Sequence, residues 1–135
     1  MIAVDTNVLV DLFLPTANSS IARQLAESDP QWHAPLLWRS EFASVLRQHH
    51  RAQGLPLEAA VELHARACEW MDGGEHIPRP DAVMSLAFGS DASVYDCEFV
   101  AVARELAAPL VTHDRRLVRS FPDSACSPRD FLDRS

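Results

Sequence analysis

The sequence contains no lysine, and arginine supplies all twelve of its basic residues. A P-loop nucleotide site needs a lysine at the phosphates, so this class of site is excluded. Phosphatases and phospho-receivers built on a strand-end aspartate also use a lysine near the phosphoryl group, and arginine does not replace lysine as a point charge. The missing lysine therefore removes several phosphate-handling classes from consideration.

Cysteine and long apolar runs are scarce as well. Cys68, Cys97 and Cys126 are widely spaced and form no CxxC pair, which argues against a disulfide framework or a zinc site and predicts three buried thiols. No stretch approaches the roughly 20 apolar residues of a membrane span, and no cationic leader precedes the first apolar run. We expect a cytoplasmic protein with no membrane contact.

The rest of the composition is ordinary for a globular protein. A length of 135 residues, with 47% hydrophobic and 23% charged residues, predicts a single domain over residues 1–135 with a substantial core. The formal net charge is −7. Because nucleic-acid binders usually carry basic faces, this charge is an objection to a nucleic-acid partner that any such function must answer.

Short apolar runs alternate with helical patterns along the chain. The run Ile2–Val4 leads into Asp5, which predicts a buried parallel strand followed by a helix that Asp5 and Thr6 cap. Further strands are predicted at 32–34, 76–78, 109–112 and 124–126, and helices at 21–27, 36–51, 57–71, 82–88, 93–107, 114–120 and 127–132. Ser19 or Ser20 is expected to cap the helix at 21–27, and Asp81 the helix at 82–88. The alternation predicts an α/β fold with a central, mostly parallel sheet of 4–5 short strands.

Four acidic residues occupy comparable places in this pattern. Asp5 and Asp114 follow predicted strands, Asp96 lies in the first turn of the helix that Ser93 opens, and Glu41 lies on the inward-leaning side of the helix at 36–51. In open α/β sheets, functional groups gather beyond the carboxyl ends of the strands. These positions predict that the four carboxylates meet at one edge of the sheet.

Each acid also has a simpler interpretation when it is taken alone. Asp5 and Asp114 would cap helices, Ser93 and Asp96 would form a variant of the capping box, and Glu41 would be a solvated helix charge. Glu41, however, stands among apolar residues, where a lone carboxylate is costly to bury. The set as a whole therefore favours a shared site over four separate structural roles.

Convergence of four carboxylates requires a neutralising partner. Hard divalent cations take oxygen ligands, and Mg²⁺ binds through a few carboxylates while it keeps several waters. Such a site activates water and stabilises charge on a phosphoryl group, with one ion or two. A carboxylate pocket without lysine, a Cys–His pair or a nucleophile elbow predicts metal-assisted phosphodiester hydrolysis.

The residues around the acids form four segments, in order along nearly the whole chain. These segments are Val4-Asp5-Thr6-Asn7-Val8-Leu9, Arg39-Ser40-Glu41-Phe42-Ala43-Ser44-Val45-Leu46, Tyr95-Asp96-x-x-Phe99-Val100-Ala101-x-Ala103 and Leu110-Val111-Thr112-x-Asp114-Arg115-Arg116-Leu117. Together they resemble the PIN-domain ribonucleases, and in particular the VapC-type toxins of bacterial toxin–antitoxin pairs. One such segment is a weak signal, whereas four in register are specific.

The resemblance implies a PIN-like three-layer α/β/α fold with a pocket in which Asp5, Glu41, Asp96 and Asp114 bind Mg²⁺ or Mn²⁺. It also implies endonucleolytic cleavage of RNA, a homodimer, and a cognate antitoxin protein that occupies the pocket. The strand-end threonine of the family corresponds to Thr112, which would position a water or a ligand carboxylate. These implications are expectations for the structure.

A few positions depart from the family pattern or add to it. Asn7 matches a commonly polar position near the metal. His113 is interpreted as a partly exposed loop residue, with a ligand role as the alternative. Cys97 and Glu98 stand where the family more often has a small residue and an apolar one. Arg116 stands where some relatives carry a further acid, so four acids are expected in the pocket.

The net charge is compatible with RNA under this interpretation. Four of the nineteen acidic residues would be metal ligands, masked when ions bind. Arginines flank the four segments and are candidates for phosphate contacts, although an ordinary surface role is the simpler interpretation of each. They are Arg39, Arg47, Arg51, Arg115, Arg116 and Arg119.

Two alternatives stay open at the level of the sequence. One is a related PIN nuclease in RNA processing or DNA cleavage that has no antitoxin, and the other is a non-catalytic nucleic-acid- or protein-binding module of the same fold. The four intact acids argue against the binding module. The helices at 21–27 and 57–71 are candidates for partner contact.

Overall fold

A central sheet of five parallel strands organises the computed structural model, which describes residues 1–134. The strands are β1 (Ile2–Val4), β2 (Trp32–Pro35), β3 (Glu75–His76), β4 (Leu110–Val111) and β5 (Ala125–Cys126). Their order across the sheet is β3-β2-β1-β4-β5, and all four pairings are parallel. The prediction of a mostly parallel sheet is confirmed, with β1 at its centre.

Helices fill the connections between these strands. They are α1 (Thr6–Phe13), α2 (Ser19–Ser28), α3 (Leu37–Gln53), α4 (Leu57–Trp70), α5 (Pro80–Phe88), α6 (Val94–Glu105), α7 (Arg115–Ser120) and α8 (Pro128–Arg134). Helix α1 packs against α2, α3 and α4, whereas α6 lies against β1, β2 and β4 and pairs with α5. This arrangement is the expected three-layer α/β/α fold. Within residues 1–134, no helix combines the length and the apolar composition needed to cross a membrane.

The core lies where the central strands meet α3 and α6. All three residues of β1 and both residues of β4 are buried, as expected for strands that helices cover on both faces. The largest fully buried side chains include Trp38 and Phe42 on α3 and Phe99 on α6. This packing fixes the directions in which β1, α3 and α6 present the acidic residues at their ends and edges.

Two of the predicted helix caps are wrong. Helix α2 begins at Ser19, after Asn18, and the Ser19 hydroxyl donates a hydrogen bond to the Leu14 carbonyl instead of accepting one from its own helix. Helix α5 begins at Pro80 rather than after Asp81. Proline suits the first helical position because its fixed φ and missing N–H fit there, so Asp81 falls inside the first turn.

The edge strand β3 begins one residue earlier than predicted and excludes Pro78. Gly74, directly before β3, lies very close to the backbone of β2. A Cβ at Gly74 would be only 2.0 Å from the carbonyl oxygen of Trp32. The Gly74 carbonyl in turn accepts a 2.9 Å hydrogen bond from the Ala34 N–H. Only glycine allows this approach, so it fixes where the edge strand pairs.

The three thiols are free, and two of them match the prediction. Cys97 and Cys126 are buried, but Cys68 is only half-buried, so the expectation of three buried thiols is wrong for Cys68. Cys68 lies on the side of α4 that carries His64, whose Nδ1 is 3.6 Å from the sulfur. Burial raises the pKa of all three thiols, which keeps them protonated at neutral pH.

Candidate active site

Asp5 lies at the carboxyl end of β1, where two neighbouring groups fix its side chain. Its Oδ1 accepts a 2.8 Å hydrogen bond from the N–H of Thr6, which caps the start of α1. Its Oδ2 accepts a 2.7 Å hydrogen bond from the hydroxyl of Thr112. Thr112 follows β4, which pairs directly with β1. Neighbouring strand ends therefore hold both oxygens of this carboxylate in a defined orientation.

Glu41 reaches the same place from α3. Trp38 and Phe42 on this helix are fully buried, and they leave Glu41 half-buried at the margin of the core. The Glu41 Oε1 accepts a 2.7 Å hydrogen bond from the hydroxyl of Thr6, which is itself 4% exposed. Thr6 thus touches Asp5 through its backbone and Glu41 through its side chain.

Asp114 comes directly before α7 and caps it. Its Oδ1 accepts hydrogen bonds of 2.9 Å from the Arg116 N–H and 3.2 Å from the Leu117 N–H. The Asp114 N–H donates to the Thr112 hydroxyl oxygen at 3.0 Å. The capping role weighed for Asp114 is therefore present, and Thr112 links this residue to Asp5.

Asp96 lies in the first turn of α6, as predicted. Its N–H donates a 3.0 Å hydrogen bond to the hydroxyl oxygen of Ser93, the capping residue of that helix. Asp96 and Asp114 both line one cleft of about 310 Å³, together with Arg116. The cleft opens the acidic residues to a ligand from solvent.

Burial and charge repulsion from neighbouring carboxylates raise the pKa values of three of these acids. Burial is the main cause that raises the pKa of Asp5, and Asp96 and Asp114 add to it by charge repulsion. Burial also leads the rise in the pKa of Glu41, to which Asp5, Asp96 and Glu98 contribute. Asp5, Glu41, Asp96 and Asp114 therefore lie close enough for their charges to interact, and we call them the carboxylate cluster.

Asp96 has one positive charge beside it. Burial raises the pKa of Asp96, and the Asp114 carboxylate raises it further, whereas Arg116 lowers it. Some members of the family that the sequence resembles have a further acidic residue at this position, where this chain has Arg116. A guanidinium at this position offsets part of the negative charge that the cluster accumulates.

Comparison with known proteins agrees with this geometry. The sequence profile of the PIN domain matches residues 2–120. The chain belongs to the PIN domain family. The match contains all four acidic residues of the carboxylate cluster.

Individual relatives resemble this PIN domain over almost its whole length. Ribonuclease VapC3 of Pyrobaculum aerophilum is 25% identical over 124 residues, which is 90% of this chain and 95% of that protein. The crystal structure of PAE2754 from the same organism has a TM-score of 0.76 at 20% identity, over 98% of this chain and 93% of that one. A toxin–antitoxin complex from Klebsiella pneumoniae contains a chain with a TM-score of 0.71 at 18% identity, over 95% of this chain and 98% of that one. The structural likenesses establish the PIN fold.

The donor atoms of this PIN domain suit a hard divalent cation. Within residues 1–134, no group of three or more His, Cys, Asp or Glu side chains is already arranged to hold a metal ion. The cluster nevertheless offers carboxylate oxygens alone, and oxygen ligands favour Mg²⁺ or Mn²⁺ over softer metals. A bound cation would also offset the burial and the charge repulsion that raise the pKa values of these carboxylates.

Reasoning from the sequence missed some residues of the PIN domain site. Thr6 was interpreted as a helix cap, yet its hydroxyl orients Glu41. His113, interpreted as a partly exposed loop residue, donates a 2.9 Å hydrogen bond from its Nε2 to the buried carboxylate of Asp11. Asp11 also accepts from the Thr16 hydroxyl at 2.7 Å. The sequence did contain one signal of this contact. Asp11 lies within the apolar face of α1, and a buried carboxylate needs a hydrogen-bonding partner.

Asn7 does not join the cluster in this structure. Its side chain is exposed, and within residues 1–134 no hydrogen bond connects it to the four carboxylates. The position directly after Thr6 points it away from the buried side of α1. A role for Asn7 near a metal stays a prediction.

Proposed function

We propose that this PIN domain is a Mg²⁺- or Mn²⁺-dependent endoribonuclease that acts as the toxin of a toxin–antitoxin pair. The observation that supports this most strongly is the carboxylate cluster, whose members come from β1, α3, α6 and the start of α7. Its charge repulsion and oxygen donors call for a divalent cation. The relative named Ribonuclease VapC3 and the toxin–antitoxin complex from Klebsiella pneumoniae support RNA as the substrate and an antitoxin as the partner.

The residues of the cluster would divide the work between ligation and positioning. Asp5, Glu41, Asp96 and Asp114 would hold the cation, which supplies charge for the phosphoryl oxygens and makes water a better nucleophile. Thr112 fixes the rotamer of Asp5, and Thr6 fixes that of Glu41. Because these hydroxyls already orient the carboxylates, less reorganisation is needed when the substrate binds.

Exposed apolar side chains support the protein partners that the proposal includes. On α4, Leu57 and Val61 are 71% and 61% exposed, and on α5, Phe88 is 86% exposed. Leu57 and Val61 line one apolar groove with Leu46 and Ala60, and a contiguous exposed apolar surface of this kind marks a contact with another protein chain. We therefore include a homodimer and a cognate antitoxin that reaches the carboxylate cluster in the proposal. A cytoplasmic location, expected from the sequence, is also part of it.

The direct test is cleavage of nucleic acid by partner-free protein. Total cellular RNA and a DNA of matched sequence are incubated with protein in Mg²⁺, Mn²⁺ or EDTA. We expect endonucleolytic cuts in RNA that either cation supports and EDTA prevents. Cleavage of DNA alone would contradict the proposed substrate, and absence of cleavage under every metal would favour a non-catalytic binding module.

Co-purification separates a toxin from a stand-alone nuclease. Expression of the protein together with its neighbouring genes should yield a complex with a small partner whose presence suppresses RNA cleavage. A nuclease that is fully active and purifies alone under these conditions would instead be a PIN enzyme of RNA processing.

A further inference from the structure

Helix α7 separates two clefts at the carboxylate cluster. One face of α7, including Arg116, borders the cleft that contains Asp96 and Asp114. The opposite face presents Arg115 and Arg119 to a second cleft of about 440 Å³, which Thr112 also lines. Thr112 is hydrogen-bonded to Asp5, so this second cleft reaches a residue that contacts the carboxylate cluster directly.

A third cleft continues the second one past the edge of the sheet. It has a volume of about 270 Å³ and shares His113 and Ser127 with its neighbour. Arg129 at the start of α8 and Asn18 and Gln24 of the α2 region line its far side. We refer to the second and third clefts together as the α7–α8 cleft, which runs from Thr112 to Arg129 beyond the ends of β4 and β5.

The α7–α8 cleft holds three arginines whose side chains have no partner among residues 1–134. Arg115, Arg119 and Arg129 are exposed, and within residues 1–134 none of them makes an ion pair or a side-chain hydrogen bond. One acidic residue, Asp130, also lines the cleft. The local charge is therefore positive, although the formal net charge of the chain is −7.

Two arginines on α3 are either paired or lie in an apolar setting. Arg39 binds Glu75 through two hydrogen bonds of 2.6 Å. Arg47 borders a groove whose other lining residues are mainly apolar, including Leu46 and Leu57. Arg116 borders the cleft of Asp96 and Asp114, and the other unpaired arginines near the carboxylate cluster, among residues 1–134, lie on the α7–α8 side.

We propose that the α7–α8 cleft binds the sugar–phosphate backbone of single-stranded RNA beside the scissile bond. Arg115, Arg119 and Arg129 contact successive phosphates, because a guanidinium matches the geometry of a phosphate group. Polar groups such as Ser127 add hydrogen bonds along the strand. The inference rests on the proposed function, since it places the RNA strand that leads away from the carboxylate cluster.

The test measures RNA binding in protein that cannot cleave. In an Asp96→Asn background, the affinity for a fluorescein-labelled, unstructured 12-nucleotide RNA is followed by anisotropy in Mg²⁺ buffer over a series of salt concentrations. The cleft variant combines Arg115→Gln, Arg119→Gln and Arg129→Gln. The matched control combines Arg23→Gln, Arg66→Gln and Arg79→Gln, which removes the same charge from exposed positions outside the cleft.

The cleft variant should lose both affinity and salt dependence. The slope of log affinity against log salt should fall by about 0.7 for each phosphate contact removed, hence by about 2 in total. The affinity at moderate salt should fall at least about tenfold, while the control variant should stay close to the parent protein. Equal affinities and slopes for the two triple variants would overturn the proposal.

Circular dichroism and the Tm of each variant confirm that it is folded. If the cleft triple does not fold, Arg119→Gln and Arg129→Gln are measured singly, and each should reduce the slope by about 0.7. If neither single variant changes the slope, the cleft assignment is contradicted, just as it is by an unchanged slope in the triple variant.

The outcomes for the cleft and for the proposed function are distinguishable. Cleavage of RNA by wild-type protein, with normal RNA affinity in the cleft triple, would leave the nuclease intact and overturn the cleft. Arginine-dependent RNA binding without any cleavage by the wild-type protein would support the cleft and contradict the nuclease. Loss of binding to a protein partner, with RNA affinity unchanged, would assign the cleft to that partner and overturn the proposal.

Discussion

The hydroxyl of Thr112 donates a 2.7 Å hydrogen bond to the carboxylate of Asp5, across the junction of β4 and β1. The same oxygen accepts a 3.0 Å hydrogen bond from the N–H of Asp114. Thr112 is fully buried, so solvent cannot replace either bond. One hydroxyl group therefore sets the positions of two members of the carboxylate cluster that lie far apart in sequence.

Replacing Thr112 with valine should impair activity more than it impairs folding. Valine has the same shape but lacks the hydroxyl, so Asp5 is no longer oriented and the Asp114 N–H loses its partner. We expect RNA cleavage to fall about 10- to 100-fold and the free energy of unfolding to fall by about 1–3 kcal/mol. Thr112→Ser retains the hydroxyl and should keep most of the activity. A Thr112→Val protein as active as the Thr112→Ser protein would refute the positioning role.

Thr6→Val should release Glu41 while it leaves the start of α1 intact. The Thr6 N–H still donates to Asp5, so the helix keeps its cap, but Glu41 loses the hydroxyl donor that holds it. We expect about a tenfold loss of cleavage rate with about 1 kcal/mol of destabilisation. Thr6→Ser is the matched control. Comparison of kcat and Tm for the two variants separates positioning from a general loss of structure.

Asp96→Asn should make the metal-free protein more stable. The ionised Asp96 carboxylate is disfavoured by burial and by repulsion from Asp114, as its raised pKa indicates. An uncharged amide removes both costs, so Tm at pH 7 in EDTA should rise. Asp91→Asn, at an exposed acid that lines the same cleft, should leave Tm nearly unchanged. A lower Tm for Asp96→Asn would mean that this carboxylate stabilises the fold.

The pH dependence of stability should follow from the raised pKa values of Asp5, Glu41 and Asp96, whose ordinary values are 3.8, 4.5 and 3.8. The folded protein holds these protons more tightly than the unfolded chain does. The three groups therefore favour folding below pH ~4, and this contribution is lost as the pH rises through the raised pKa values.

Other acids act in the opposite direction, because the pKa of Glu75 and that of Asp81 are lowered by Arg39 and Arg79. The prediction therefore concerns the difference in Tm between two proteins, both measured in EDTA. The Tm of Asp96→Asn minus that of the wild type should grow between pH 4 and pH 7. Mg²⁺ should raise the wild-type Tm at pH 7 and have little effect at pH 4. A Tm difference that does not change with pH would contradict the electrostatic account of the cluster.

Much of this structure could be predicted from the sequence because its signals are local. Apolar runs that end in Asp5 and before Asp114 mark neighbouring strand ends, and the apolar face of α3 places Glu41 beside the core. The contacts between Thr6 and Glu41 and between His113 and Asp11 could not be predicted, since they join residues 35 and 102 positions apart. Such contacts depend on how the helices pack, which no short pattern in the sequence specifies.

The cap of α5 shows the same limit on a smaller scale. Asp81 is a good capping residue in isolation, but Pro80 before it fits the first helical position better and moves the start of the helix. The sequence likewise does not predict which arginines stay unpaired, as those of the α7–α8 cleft do within residues 1–134. Arg39 is paired because the fold places Glu75 beside it, whereas no acidic side chain within residues 1–134 pairs with Arg119.

The measurement that tests the central claim most directly is the rate of RNA cleavage as a function of Mg²⁺ concentration. It is made on partner-free wild-type protein and on Asp5→Asn, Glu41→Gln, Asp96→Asn and Asp114→Asn, with Asp91→Asn as the matched acidic control. We predict saturable Mg²⁺ dependence in the wild type and the control. Each cluster variant should lose about 100-fold or more, because a catalytic cation contributes several kcal/mol. Cleavage that is independent of Mg²⁺, or equal in the cluster variants and the control, would contradict a metal-dependent carboxylate site.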